Sequence, residues 1–221
     1  MRELGDRTKA ALEEVYAVFA LNRLPSPIVV CPCCISADEL KVMIGTRLKA
    51  LTFPQLEEYL HAVLLTSGSA ADFRYFLPRL LDLNAHAHYD FQAEWEILLG
   101  KLSLGEWQDW PVRERESLME FLRAYFDELI RAPNMESDEI DSFLCGLARG
   151  GVDLIPFLDR LSQPDADEAF YALSDRNAAS LMKGKLANSF WKDHREAGVP
   201  ILRWLKSEES EARIARRWGS G

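Results

Sequence analysis

The chain has 221 residues, of which 48% are hydrophobic and 28% are charged, and its net charge is −9. This composition is typical of a folded protein with a sizeable hydrophobic core, and it excludes disordered and fibrous classes. Since no apolar run approaches the ~20 residues that cross a bilayer and no signal peptide is recognised, we expect a soluble, cytoplasmic protein without membrane contact and with reduced cysteines.

Helical periodicity predicts the elements of the first quarter of the chain. Apolar residues at three- and four-residue spacings predict a helix over 8–24. Ser36 followed by Glu39 is a capping box that starts a second helix. Thr52 and Gln55 open a third helix in the same way, with Pro54 in its first turn.

The same periodicity continues through the rest of the chain. Pro78 lies inside the segment 70–88, where it predicts a kink or a short first segment. Trp107 and Trp110 mark a tight connection, and Pro133 marks a break. The other predicted helices are 91–102, 112–131, 137–147, 153–161, 165–182, 187–194 and 199–218.

No segment alternates polar and apolar residues for more than a few positions, so no strand is predicted. We therefore predict an all-α fold of eight to ten helices, arranged as irregular antiparallel helical hairpins and partly solenoid-like. A boundary near Pro133 divides an aromatic-rich helical body, 1–132, from a second helical lobe, 133–221. One continuous domain is the alternative.

Charge is distributed unevenly along the chain. Residues 127–175 contain 12 Asp and Glu against three Arg, a local charge of −9, whereas 183–221 has a charge of +4. An acidic region repels a phosphate backbone and attracts a basic partner. The simpler interpretation is that these acids only keep the surface solvated.

Cys31-Pro32-Cys33-Cys34 contains three of the four cysteines. Cys31 and Cys34 have the spacing of half a zinc site, but a structural site needs four ligands. A redox pair at a helix N-terminus is a second interpretation, and small residues packed at a helix start are a third. The other candidate zinc ligands, none of which repeats the spacing, are Cys33, Cys145, His61, His86, His88 and His194.

Other chemical motifs are weak. Asp82 and His86 share a helix face at i, i+4 and could act together, but His86 and His88 point about 200° apart on a helix. Asp90 lies near this pair. Neither a nucleophile elbow nor a phosphate-binding glycine loop occurs, so we predict no enzymatic activity. The basic stretch 213–218 is interpreted as a helix C-terminus.

Several motifs in order resemble a family of uncharacterised bacterial helical proteins. The resemblance covers about residues 30–130. Its pattern runs from a cysteine pair to a "Leu-Thr" helix, a "Phe-Leu-Pro-Arg" helix and a "Trp-Pro" helix. The matching segments are Cys31 to Ser36, Leu51-Thr52, Asp72 to Leu81, Gly100 to Leu102 and Trp107 to Pro111.

Some members of that family resemble cytoplasmic immunity proteins, which neutralise toxins of type VI secretion, including nucleases. The resemblance implies a protein that does no chemistry and binds a secreted toxin. The local charge of −9 places the contact in the acidic region, where a basic nuclease would bind. We expect no nucleic-acid partner and no cofactor. The alternative is a zinc- or thiol-dependent regulatory protein that uses Cys31, Cys33 and Cys34. A helical scaffold with another partner is a third hypothesis. The predicted toxin contacts are Glu136, Asp138, Glu139, Asp141, Asp165, Asp167 and Glu168.

Overall fold

A computed structural model of the chain describes residues 3–22, 24, 27–86, 94–132 and 136–218. Within these residues the predicted all-α fold is confirmed, since the sole extended pairing is an isolated bridge between Val63 and Ser67. None of the described helices combines the length and apolar character needed to span a membrane.

The described residues form eleven α-helices, so the predicted number of eight to ten is wrong by at least one. The segment 199–218, predicted as one helix, forms two because the Ser207 hydroxyl accepts a hydrogen bond from the Ser210 N–H and caps a new helix. The segment 187–194 forms a short 3₁₀ helix, Ser189–Asp193. The α-helices are α1 (Asp6–Phe19), α2 (Ala37–Gly45), α3 (Phe53–Ala62), α4 (Ala70–His86), α5 (Trp95–Leu104), α6 (Val112–Leu129), α7 (Ser137–Arg149), α8 (Ile155–Leu161), α9 (Asp167–Leu181), α10 (Val199–Leu205) and α11 (Glu208–Trp218).

The chain divides into two compact units, residues 1–125 and 126–221, and the division falls within α6. The predicted boundary lies beside Pro133, which is outside the described residues, so a break there remains a prediction. Among the described helices, α1 packs on α4 in the first unit and α7 packs on α9 in the second, and neither pair is consecutive in the chain.

The first unit has an aromatic core. The rings of Phe19 and Phe73 pack against Trp110, and their centroids lie 5.9 and 6.2 Å, respectively, from the Trp110 ring centroid. Helix α4 runs without interruption through Pro78, so the predicted short first segment is wrong. The neighbouring Phe76 and Leu77 are fully buried, and burial of this face offsets the hydrogen bond that proline cannot make.

The second unit is organised around α7 and α9. Phe126, Phe143 and Phe157 form a ring cluster with centroids 5.3 to 6.5 Å apart. Ile140 and Leu144 extend the buried stripe of α7. This stripe fixes the rotation of α7 and thereby places the acids of its first turn.

Candidate functional site

The seven predicted toxin contacts form two groups. We call Glu136, Asp138, Glu139 and Asp141 the α7 group, and Asp165, Asp167 and Glu168 the α9 group. The α7 group contacts Arg176, which lies nine residues after Asp167 in α9. Nine helical residues span roughly 13–14 Å. The α7 group therefore lies beside a part of α9 that is more than two helical turns from Asp167.

Arg176 partly neutralises the α7 group. Its guanidinium forms an ion pair with Asp138, and its Nε lies 3.4 Å from Oδ2 of Asp141. The side chain of Asp141 is fully buried and Glu139 is buried too. Glu136 is exposed, and 47% of the Asp138 side chain is accessible. Within this group, Glu136 and Asp138 are the acids that a partner could reach.

Two arginines hold Asp165 in the α9 group. Arg160 donates to both of its carboxylate oxygens, at 3.0 and 2.8 Å, and Arg131 donates at 3.2 Å. Both arginines also pair with Asp127. The hydrogen bonds from Arg160 hold the pKa of Asp165 below its usual value. Asp165 is thus fixed in its ionised form, with 55% of its side chain accessible.

Asp167 is held by Arg213 of α11. The Arg213 guanidinium donates to Oδ1 of Asp167 through Nε, at 2.8 Å, and through Nη2. It also stacks over the ring of Phe170, 4.2 Å from the centroid. One turn further along α11, Arg217 forms an ion pair with Asp175 at 3.2 Å. Arginines of the basic C-terminal segment therefore neutralise part of the acidic segment within the second unit.

Glu136 and Glu168 are the two predicted contacts that are exposed and form no ion pair with a described residue. Asp138, Asp165 and Asp167 are half-exposed and held by arginines, whereas Glu139 and Asp141 are buried. Binding of a toxin by these acids remains a prediction.

The cysteines lie on a well-anchored turn in the first unit. Buried Ile28 and Ile35 fix its two ends in the core. The Cys31 N–H donates to Oγ of Ser67 at 2.8 Å, and the Gly68 N–H donates to the carbonyl of Val29 at 2.7 Å. This segment therefore holds a defined position on the loop that follows α3.

Two thiols of this turn are in contact. Sγ of Cys31 lies 3.3 Å from Sγ of Cys33, while Sγ of Cys34 contacts Oγ1 of Thr66 at 3.3 Å. Hydrogen bonds from the backbone and thiol of Cys33 lower the pKa of Cys31. The hydrogen bond between the two thiols raises the pKa of Cys33. The fourth cysteine, Cys145, is buried in α7.

None of the described His, Asp or Glu side chains joins the three cysteines as a zinc ligand. Across the described part of the chain, no three or more His, Cys, Asp and Glu side chains are grouped so that they could hold a metal ion. His88 and Asp90 lie outside the described residues. Among the three cysteines, Sγ of Cys31 lies 3.3 Å from Sγ of Cys33, and Cys34 contributes a further hydrogen bond to Cys31.

Asp82 and His86 pair as their spacing predicts, with Nδ1 of His86 2.9 Å from Oδ1 of Asp82. Asp82 also accepts hydrogen bonds from Tyr16, at 2.7 Å, and Arg79, at 2.6 Å. Burial and the carboxylate raise the pKa of Tyr16. Because Tyr16 belongs to α1, this cluster ties α1 to α4, a structural role.

A buried lysine was not predicted as a special residue. Nζ of Lys101 donates to the carbonyls of His61 and Val63, at 3.0 and 2.8 Å, at the end of α3. Burial lowers its pKa to about 8. In the sequence, Lys101 follows Leu98 by three residues, which places it on the apolar face of the helix; this spacing was the available signal of its burial.

The described residues thus define an all-α protein of two compact units, with partly exposed acids in one and a partly exposed thiol pair in the other. Comparisons with protein-family models, with curated proteins and with solved structures find no match for the chain. The family resemblance of its motifs remains a prediction.

Proposed function

We propose that the chain is an immunity protein, a non-enzymatic cytoplasmic inhibitor that binds a type VI secreted toxin. The expected partner is a basic protein, and a nuclease is the class that best fits an acidic inhibitor. The observation that carries this proposal is the set of exposed or half-exposed carboxylates in the α7 and α9 groups. Glu136, Asp138, Asp165, Asp167 and Glu168 are its members.

Internal arginines do not remove these acids from use by a partner. A carboxylate offers about four lone-pair sites, and Asp165 and Asp167 keep 55% and 49% of their side-chain surfaces accessible beside Arg160 and Arg213. Because these arginines hold the carboxylates in place, less side-chain entropy is lost when a basic partner binds. The half-exposed aspartates are therefore suited to contact lysine or arginine side chains.

The unpaired glutamates add the net negative charge that attracts such a partner. Glu136 and Glu168 are exposed and lack an ion pair among the described residues. Complementary charge speeds association and selects among partners more than it adds affinity. The motif order that resembles a family with immunity-protein members is consistent with this role.

Co-expression with the product of the adjacent gene tests the proposal. An immunity protein is expected to co-purify with that product as a stoichiometric complex and to protect cells in which it is toxic. A neighbouring toxin that kills equally with and without this chain, and that does not bind it, would contradict the proposal.

A further inference from the structure

We propose that Cys31 and Cys33 form a redox-active dithiol that reacts with disulfides by thiol–disulfide exchange. The proposal is independent of toxin binding, because the two cysteines lie in the first unit and the candidate toxin contacts lie in the second.

The geometry requires only a small movement to join the two sulfurs. Their Sγ atoms are 3.3 Å apart, and a disulfide bond is about 2.05 Å long. The N–H groups of Cys34 and Ile35 both donate to the carbonyl of Cys31, at 2.9 and 3.0 Å, which closes a turn around Pro32. This turn runs from Cys31 to Cys34, so its backbone holds Cys33 inside the turn and close to Cys31.

The surroundings of the other two cysteines differ from those of the pair. Cys34 contacts Oγ1 of Thr66 at 3.3 Å in addition to Cys31, and Cys145 is fully buried in the other unit. Cys33 is exposed, so packing into the core does not account for it. An incoming disulfide can reach the pair from solvent.

In this anchored and exposed turn, a disulfide between Cys31 and Cys33 is suited to exchange with other thiols more than to stabilise the fold. Ser67 and Gly68 hold its backbone on one side, and Ile35 is buried on the other. A disulfide across a single intervening residue in an exposed turn belongs to the labile class, which exchanges readily. Disulfides in reducing compartments are usually of this transient type.

The reaction is balanced with a disulfide, R–S–S–R, as oxidant. One of the two cysteines loses its thiol proton and attacks one sulfur of R–S–S–R; a mixed disulfide forms between that cysteine and one R–S group, and the other R–S⁻ leaves and takes up the proton. The second cysteine then loses its proton and attacks Sγ of the first, the Cys31–Cys33 bond forms, and the second R–S⁻ leaves and is protonated. The two cysteines are oxidised and R–S–S–R is reduced to two R–SH.

Treatment of the full chain with oxidised glutathione, followed by peptide mass spectrometry, tests this site. The wild type is expected to form a Cys31–Cys33 disulfide with loss of two free thiols. The C33S variant is expected to lose that bond and to retain a glutathione adduct on Cys31. The C34S variant is the control, and its internal disulfide should form as in the wild type.

Three results would overturn the proposal. One is a wild type that accumulates stable glutathione adducts without an internal bond. The second is an internal bond mapped to Cys34, or lost in C34S. The third is a wild type whose Cys31 and Cys33 react no faster than an unfolded control and form no bond. None of these outcomes bears on toxin binding.

Discussion

Arg213 of α11 forms a hydrogen-bonded ion pair with Asp167 at the start of α9, although the two residues are 46 positions apart in the sequence. The same guanidinium donates to the carbonyls of Leu161 and Gln163, at 2.8 and 3.1 Å. One side chain from the basic C-terminal segment therefore supports the loop that presents the α9 group.

Replacement of Arg213 by methionine should destabilise the second unit. The change leaves two backbone carbonyls and a half-exposed carboxylate without their donor, so we expect a loss of about 1–3 kcal/mol. Urea denaturation measures this loss. R203M removes an exposed arginine of the same unit and is the control, with an expected change within about 0.5 kcal/mol. Equal effects of the two changes would contradict the structural role of Arg213.

Lys101 should make stability depend on alkaline pH. Its pKa is about 8 in the folded protein against an ordinary 10.5, so between these values the unfolded chain binds more protons and rising pH favours the folded state. We expect wild type to gain roughly 1–3 kcal/mol over this range relative to K101M. K41M, at an exposed lysine, should follow wild type.

The same K101M protein should be less stable than wild type at pH 7, because two carbonyls at the end of α3 lose their donor. Denaturation at pH 7, 8, 9 and 10 measures both effects. A constant difference between wild type and K101M across this series would show that Lys101 titrates normally in the folded protein.

Gly68 should tolerate substitution poorly. Its φ is +63°, and an added Cβ would lie 3.2 Å from Cγ2 of Val63 and 3.3 Å from Oδ2 of Asp72. Gly184 has a similar φ of +67° but open space around the added atom. We expect G184A to cost about 1 kcal/mol and G68A about 1–2 kcal/mol more. Calorimetric unfolding compares them, and equal losses would show that crowding at Gly68 is relieved without cost.

Local features of the sequence predicted the helices but not their partners. The Ser36 and Glu39 capping box forms as predicted, because capping depends on residues three apart. Arg213 and Asp167 meet only through tertiary packing, so the sequence showed an acidic segment and a basic segment but not that they neutralise each other.

The candidate sites show the same limit. Periodicity placed Asp141 in a helix, yet its complete burial beside Arg176 depends on how α7 packs on α9. The cysteine spacing suggested chemistry between Cys31 and Cys34, and the turn in addition brings Sγ of Cys33 to 3.3 Å from Sγ of Cys31. The position of Cys34 depends also on its contact with Thr66, 32 residues away.

The most direct test of the proposed function is the dissociation constant of the toxin complex for two variants of equal charge. E136K/E168K reverses the two predicted contacts that are exposed and form no ion pair with a described residue, whereas E57K/E58K reverses two exposed acids of α3 in the first unit. Each variant makes the net charge more positive by the same amount.

We expect E136K/E168K to weaken binding by about tenfold or more at physiological salt, through lost attraction and new repulsion. E57K/E58K should stay within about twofold of wild type. Unchanged affinity in E136K/E168K, or equal weakening in both variants, would contradict binding through the α7 and α9 groups.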